Sequence, residues 1–156
     1  MNKDEVLGQL KNAQLAHIEW VNKAKSLVNG KDARENLVPV SIKESQFGKW
    51  FYKEGQLLNA LSNNPLSCMK NIDRLHNKAH GVYFDIFSRY FPLNVEEGMF
   101  SKFFAKKRKA LLEDEQEQVA LQLAKLEALV QELIDELSRL ERRIEAVSQE
   151  KLETLV

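Results

Sequence analysis

Apolar residues recur at spacings of three and four along most of this chain, which is the period of amphipathic helices. Over residues 3–29, Leu10, Ala13, His17, Trp20, Ala24 and Leu27 fall on one face, and Asn29-Gly30 marks a stop. Residues 30–42 hold Gly30, Pro39 and several polar groups and read as a connecting loop. A shorter helix is predicted from Ile42–Glu44 onward, carrying Phe47, Trp50, Phe51, Leu57, Leu58 and Leu61. Gly48 and Gly55 weaken and bend it. Ser62-Asn63-Asn64-Pro65 breaks the chain, with Asn64 as a cap and Pro65 in the first turn of the next helix. That third helix sets Met69, Ile72, His76, Ala79, His80, Tyr83 and Phe87 on one face. It ends at Pro92-Leu93-Asn94.

From Val95 onward there is no proline, and Gly98 is the only glycine. A single helix of that length would run ~90 Å, beyond what shorter helices can cover. Its second half shows a heptad. Leu123, Val130, Leu137 and Ile144 take one core position, and Val119, Leu126, Leu133, Leu140 and Val147 take the other. The pattern predicts a self-pairing coiled coil. In a parallel dimer Glu136 would face Glu141 of its partner, and Leu129 and Ile134 widen the stripe, so an antiparallel pair or a higher oligomer stays open. The expected fold is all-α: a four-helix bundle over residues 1–110 whose last helix extends into a coiled-coil tail over 111–156.

Charge supports a boundary near Ala110. Residues 1–110 carry 18 Lys/Arg and 11 Asp/Glu, a net +7, while residues 111–156 carry 5 and 12, a net −7. The sum is zero, which lacks the broad basic footprint of nucleic-acid binders. Lys106-Lys107-Arg108-Lys109 reads instead as a solvated face pairing with Glu113-Asp114-Glu115. No stretch approaches the ~20 apolar residues that span a bilayer, so no membrane insertion is expected. One cysteine, Cys68, excludes an internal disulfide and suits a reducing, cytoplasmic setting. The many aromatic residues read as core, with some to spare for a dimer interface.

The chain has three histidines, and all fall on inward faces. His76 and His80, four apart on one helix, point the same way, and His17 sits mid-face on the first helix. Three imidazoles meeting inside a bundle suit Zn2+, which takes four ligands in a tetrahedron. A haem attachment motif is absent, and a di-iron site would need more histidines and inward carboxylates.

Three motifs carry a resemblance. Ala16-His17-Ile18-Glu19-Trp20, then Gln46-Phe47-Gly48-Lys49-Trp50 followed by Gly55, then His76-Asn77-Lys78-Ala79-His80 resemble, in order and separation, the bacterial chemoreceptor zinc-binding domain family. The likeness covers roughly residues 5–90. It implies a helical bundle, zinc held by three histidines and a cysteine, and regulation of chemotaxis receptors or diguanylate cyclases. His17, His76 and His80 match the family's histidine ligands. The position of its cysteine holds Ser45, whose hydroxyl is a poor ligand. Water or a carboxylate such as Glu44 is then expected as the fourth ligand. Cys68, two helical turns before His76, is out of reach. No general base argues for catalysis. The expected role is a cytoplasmic, homodimeric, zinc-responsive signalling module rather than an enzyme. The rival reading is a structural scaffold or adaptor with a zinc staple and coiled-coil oligomerisation.

Overall fold

A computed structural model describes residues 1–31, 39–62, 66–92 and 108–155. Every regular element among them is helical: α1 (Lys3–Asn29), α2 (Gln46–Phe51), a 3₁₀ segment (Glu54–Ala60), α3 (Leu66–Tyr90), α4 (Glu113–Glu145) and α5 (Gln149–Glu153). The expected all-α class is therefore observed. The expected caps at Asn64 and Asn94, together with Gly98, Phe103, Phe104, Lys106 and Lys107, lie outside the described residues.

α1 begins where the Asn2 side chain accepts from the Glu5 amide at 3.1 Å, with Asp4 and Glu5 favourably placed in its first turn. It ends at Gly30, whose φ of 67° belongs to the left-handed region open to glycine. There Gly30 N–H donates to Leu27 O and Lys31 N–H to Ser26 O, which closes the last turn. α1 has no basic residue in that turn, and Arg108 supplies one from outside: its Nη2 donates to Leu27 O at 2.6 Å while its guanidinium lies over the Tyr90 ring. With Lys109 bonded to Glu115 at 2.7 Å, the two described members of the basic run are structural.

Helix α4 departs from expectation. It does not continue a helix from Val95. Residues 108–112 are non-helical, and α4 starts afresh at Glu113, where the Glu115 carboxylate accepts from the Leu112 amide at 3.0 Å. Its 33 residues span about 50 Å, close to the roughly 40 Å of α1 and α3. It packs along both, whereas α1 and α3 touch each other at few points. The heptad residues Val119, Leu126, Val130, Leu133, Leu137, Leu140 and Ile144 are all buried inside the single chain. The seam expected to pair with a second copy thus fills the groove between α1 and α3. A stripe repeating every 3.5 residues serves either purpose equally, and the fresh start at Glu113 permits the fold-back. The boundary near residue 110 coincides with the approach to α4, but residues on its two sides share both clusters of the core.

Directions follow from the cross-links. Lys3 bonds Gln149 and the carbonyls of Glu145 and Val147, Gln14 bonds Glu141, and Lys25 bonds Glu127. α4 therefore runs antiparallel to α1. Asn71 to Glu136 and Lys151 to Ser62 make it antiparallel to α3 as well. α1 and α3 are parallel, so the chain must return between them, and α2 and the 3₁₀ segment form part of that return. Of these cross-links only Lys25–Glu127 joins opposite charges of the two halves. Such an exposed pair is worth well under ~1 kcal/mol.

The core has two clusters. One gathers Val6, Leu10, Phe51, Ile72, Leu75, Leu133, Leu137 and neighbours, and the other Ala24, Leu27, Tyr83, Ile86, Phe87, Val119 and Leu126. Between Ala13 and Val21 on α1 lies His17, and between Leu75 and Ala79 on α3 lies His76. The histidines form a polar layer at the waist of an otherwise apolar bundle.

Candidate metal centre

The waist is built by three elements. α1 supplies His17, α3 supplies His76 and, one turn on, His80. α2 seats Phe47 edge-on to both His17 (ring centroids 5.7 Å apart) and His76 (5.1 Å). The position of α2 rests on Ser45, its N-cap. The Ser45 hydroxyl donates to Ile42 O at 2.8 Å and accepts from Gly48 N–H at 3.0 Å. Gly48 is required here, since a Cβ would stand 1.8 Å from Ile42 O.

His17, His76 and His80 each place a ring nitrogen within 4.8 Å of the others, as the sequence predicts. His17 is 5% exposed, His76 fully buried, and His80 half-buried against the Trp20 ring. Backbone carbonyls take two of the three Nδ1 atoms: His17 to Ala13 O at 2.6 Å, and His80 to Val40 O at 3.2 Å. That assigns the N–H to Nδ1 and leaves Nε2 with a free lone pair on both rings. His76 Nδ1 faces the Tyr52 hydroxyl at 3.5 Å. That hydroxyl donates to Asp73 Oδ1 at 2.8 Å and accepts from Asn77 at 3.3 Å. His76 Nε2 is buried with no hydrogen-bond partner. An orphaned buried nitrogen of this kind costs about 1–3 kcal/mol.

Burial makes all three imidazoles weak bases. Desolvation, reinforced by His80 and His17, lowers the pKa of His76 to about 2. Desolvation and then His17 lower His80 to about 4. Burial lowers His17 too, against the opposing pull of its bond to Ala13 O. At neutral pH the layer is uncharged, and a metal would displace no proton from these rings. The donor set fits zinc. A tetrahedral ion about 2.1 Å from each nitrogen sets them about 3.4 Å apart, so from separations within 4.8 Å the nitrogens would close by at most about 1.4 Å. Such an ion would satisfy the orphaned Nε2.

The fourth position is less complete. Ser45 lies beside His17 and His80 on the wall of a common cavity, with its hydroxyl engaged in capping α2. Glu44 is exposed, and no carboxylate joins the cluster among the described residues. Cys68 is packed in the first core cluster with Ile72 and Leu75, and burial pushes its thiol pKa up. Sequence reasoning missed the outer partners. Asp73 and Asn77 are readable in hindsight, being three before and one after His76 on one helix. Tyr52 and the carbonyls of Ala13 and Val40 carry no sequence signal.

No helix among the described residues is long and apolar enough to cross a membrane. Comparison with protein-family models, curated proteins and solved structures returns no match.

Proposed function

We propose that the protein is a zinc-responsive regulatory module, with the ion held by Nε2 of His17, His76 and His80. The observation that carries this reading is the convergence of three neutral imidazoles on one point, with the buried Nε2 of His76 otherwise unpartnered. Nothing on the cavity wall beside the cluster is a carboxylate that would serve as a general base, so the reading is binding rather than hydrolysis.

The architecture suggests how occupancy would be felt. α1 and α3 touch little of each other directly, and rings at the waist make the close approach: His17 to His76 (centroids 5.1 Å apart) and Trp20 to His80 (4.2 Å) and Tyr83 (4.8 Å). Drawing these rings together would tighten α1 against α3, and α4, seated on both, would follow. Such a shift transmits a signal only to the extent that zinc binds the two packings with different affinity. The outputs implied by the family resemblance, a chemotaxis receptor or a diguanylate cyclase engaged through a homodimer, are part of this proposal. A zinc staple is the rival, favoured by the position of the site at the waist between two apolar clusters. A sensor changes conformation or association across a graded zinc titration, while a staple only gains stability.

Stoichiometry tests the site. Metal analysis after dialysis is expected to give one zinc per chain, and the double variant His76→Ala, His80→Ala is expected to give none. A full equivalent retained by that variant would place the metal elsewhere.

A further inference from the structure

Beside the histidine cluster lies a cavity of about 180 Å³, whose wall, besides His17 and His80, is made by Ala16, Trp20, Val40, Ser45, Gln46 and Phe47. Two metal-ligand candidates form part of its wall, and the third, His76, is fully buried beyond them. The wall is overwhelmingly apolar. It has no Lys, Arg, Asp or Glu, and the one hydroxyl, on Ser45, both donates and accepts within the cap of α2.

We infer that this cavity is a binding site for a small alkyl thiol, which completes the metal shell as a thiolate from outside the chain. The inference rests on the zinc reading above. Three neutral nitrogens leave the double charge of the ion uncompensated in an apolar setting, so the fourth ligand of choice is an anion. A carboxylate or phosphate brings further oxygens that need donors, and the wall offers only the Gln46 carboxamide and the Trp20 indole N–H, with no cationic group. An alkyl thiolate presents one soft donor atom, which zinc accepts readily, and buries the rest of its length against Trp20, Val40 and Phe47. The thiol proton is released to solvent, the metal-bound water leaves, and no oxidation occurs. The site would thereby report zinc and a low-molecular-weight thiol jointly.

The full-length protein loaded with Co2+ under anaerobic conditions provides the readout, because four-coordinate cobalt and its sulfur bonds absorb distinctly. Cobalt alone should give the intense visible bands of a tetrahedral site without a sulfur charge-transfer band. Absence of the visible bands would sink the metal reading itself. Titration with 2-mercaptoethanol should then raise a sulfur-to-cobalt charge-transfer band that saturates at one thiol per cobalt. Propionate should perturb the visible bands only at about tenfold or higher concentration. Bound cobalt with no charge-transfer band, equal potency of propionate, or cobalt stripped into the filtrate would each overturn the thiol site while leaving the metal centre standing. Ala16→Phe, and independently the milder Ala16→Leu, alter an exposed residue and fill the cavity. Each is expected to bind cobalt normally and to lose at least about tenfold in thiol affinity. Unchanged thiol binding in both variants would show that the thiol does not occupy this cavity.

Discussion

Acidifying the metal-free protein should unfold it in a window set by the histidine layer. In the unfolded chain His76 and His80 titrate near 6.5. In the folded chain burial holds them at about 2 and about 4. Between those limits the unfolded state binds protons that the folded state refuses, so the stability conferred by neutral, buried rings is intact above pH 6.5 and is lost as pH falls below it. From pH 7.5 to pH 5 each ring gives up about 2 kcal/mol, by 1.36 kcal/mol per pH unit over the roughly 1.5 units below 6.5. The pair loses about 4 kcal/mol, and His17, also lowered by burial, adds to it in the same direction. Small domains hold only about 5–15 kcal/mol in all, so this is a large share. The assay is urea unfolding in the presence of a chelator at several pH values from 7.5 to 5, followed by helical circular dichroism and by Trp20 and Trp50 fluorescence. His76→Leu, which removes one proton site and the orphaned nitrogen without emptying the core, should reduce the loss between pH 7.5 and pH 5 by the about 2 kcal/mol assigned to that ring. An unfolding midpoint that stays constant over this range would refute the neutral layer. A His76→Leu variant with the full wild-type pH dependence would refute the role of His76 in it.

Ser45→Cys should act in opposite directions on the two forms. Loss of the α2 cap destabilises the metal-free protein by about 1 kcal/mol, while a thiolate at the fourth position tightens zinc, more at pH 8 than at pH 6.5. Chelator competition giving wild-type affinity at both pH values would show that position 45 does not reach the metal. Leu133→Asp, at a fully buried seam position, should abolish the helical fold of the single chain. A variant that stays folded and changes only its association state in the ultracentrifuge would restore the self-pairing seam.

Much of this arrangement was legible in the chain. Asn29-Gly30 terminates α1, His76 and His80 share one face of α3, and His17 falls on the inward face of α1, because each depends on local chemistry or helical period alone. The fate of the heptad was not legible. Val119, Leu126, Leu133 and Leu140 specify a helix with an apolar stripe, and only the helix break before Glu113 decides that the stripe meets α1 and α3. The same break gives Glu136 and Glu141, which would repel in a parallel dimer, the partners Asn71 and Gln14. Ser45 was read as the position of a missing cysteine ligand, and it lines one cavity with His17 and His80. Its hydroxyl's commitment to Ile42 O and Gly48 N–H depends on a turn geometry that composition does not reveal.

The sequence separations of these helices also favour one order of assembly. α3 and α4 are separated by 22 residues along the chain, whereas the contacts from Lys3, Gln14 and Lys25 to α4 close loops of more than 100 residues. Loop closure favours the nearer pair, so the α3–α4 hairpin would form first and α1 would dock last. His76 and His80 ride on that early hairpin, while His17 arrives with the final helix. A three-nitrogen metal spectrum developing during refolding would therefore time the last step of folding, and an ion already held by the α3 pair would speed it by capturing α1 on arrival.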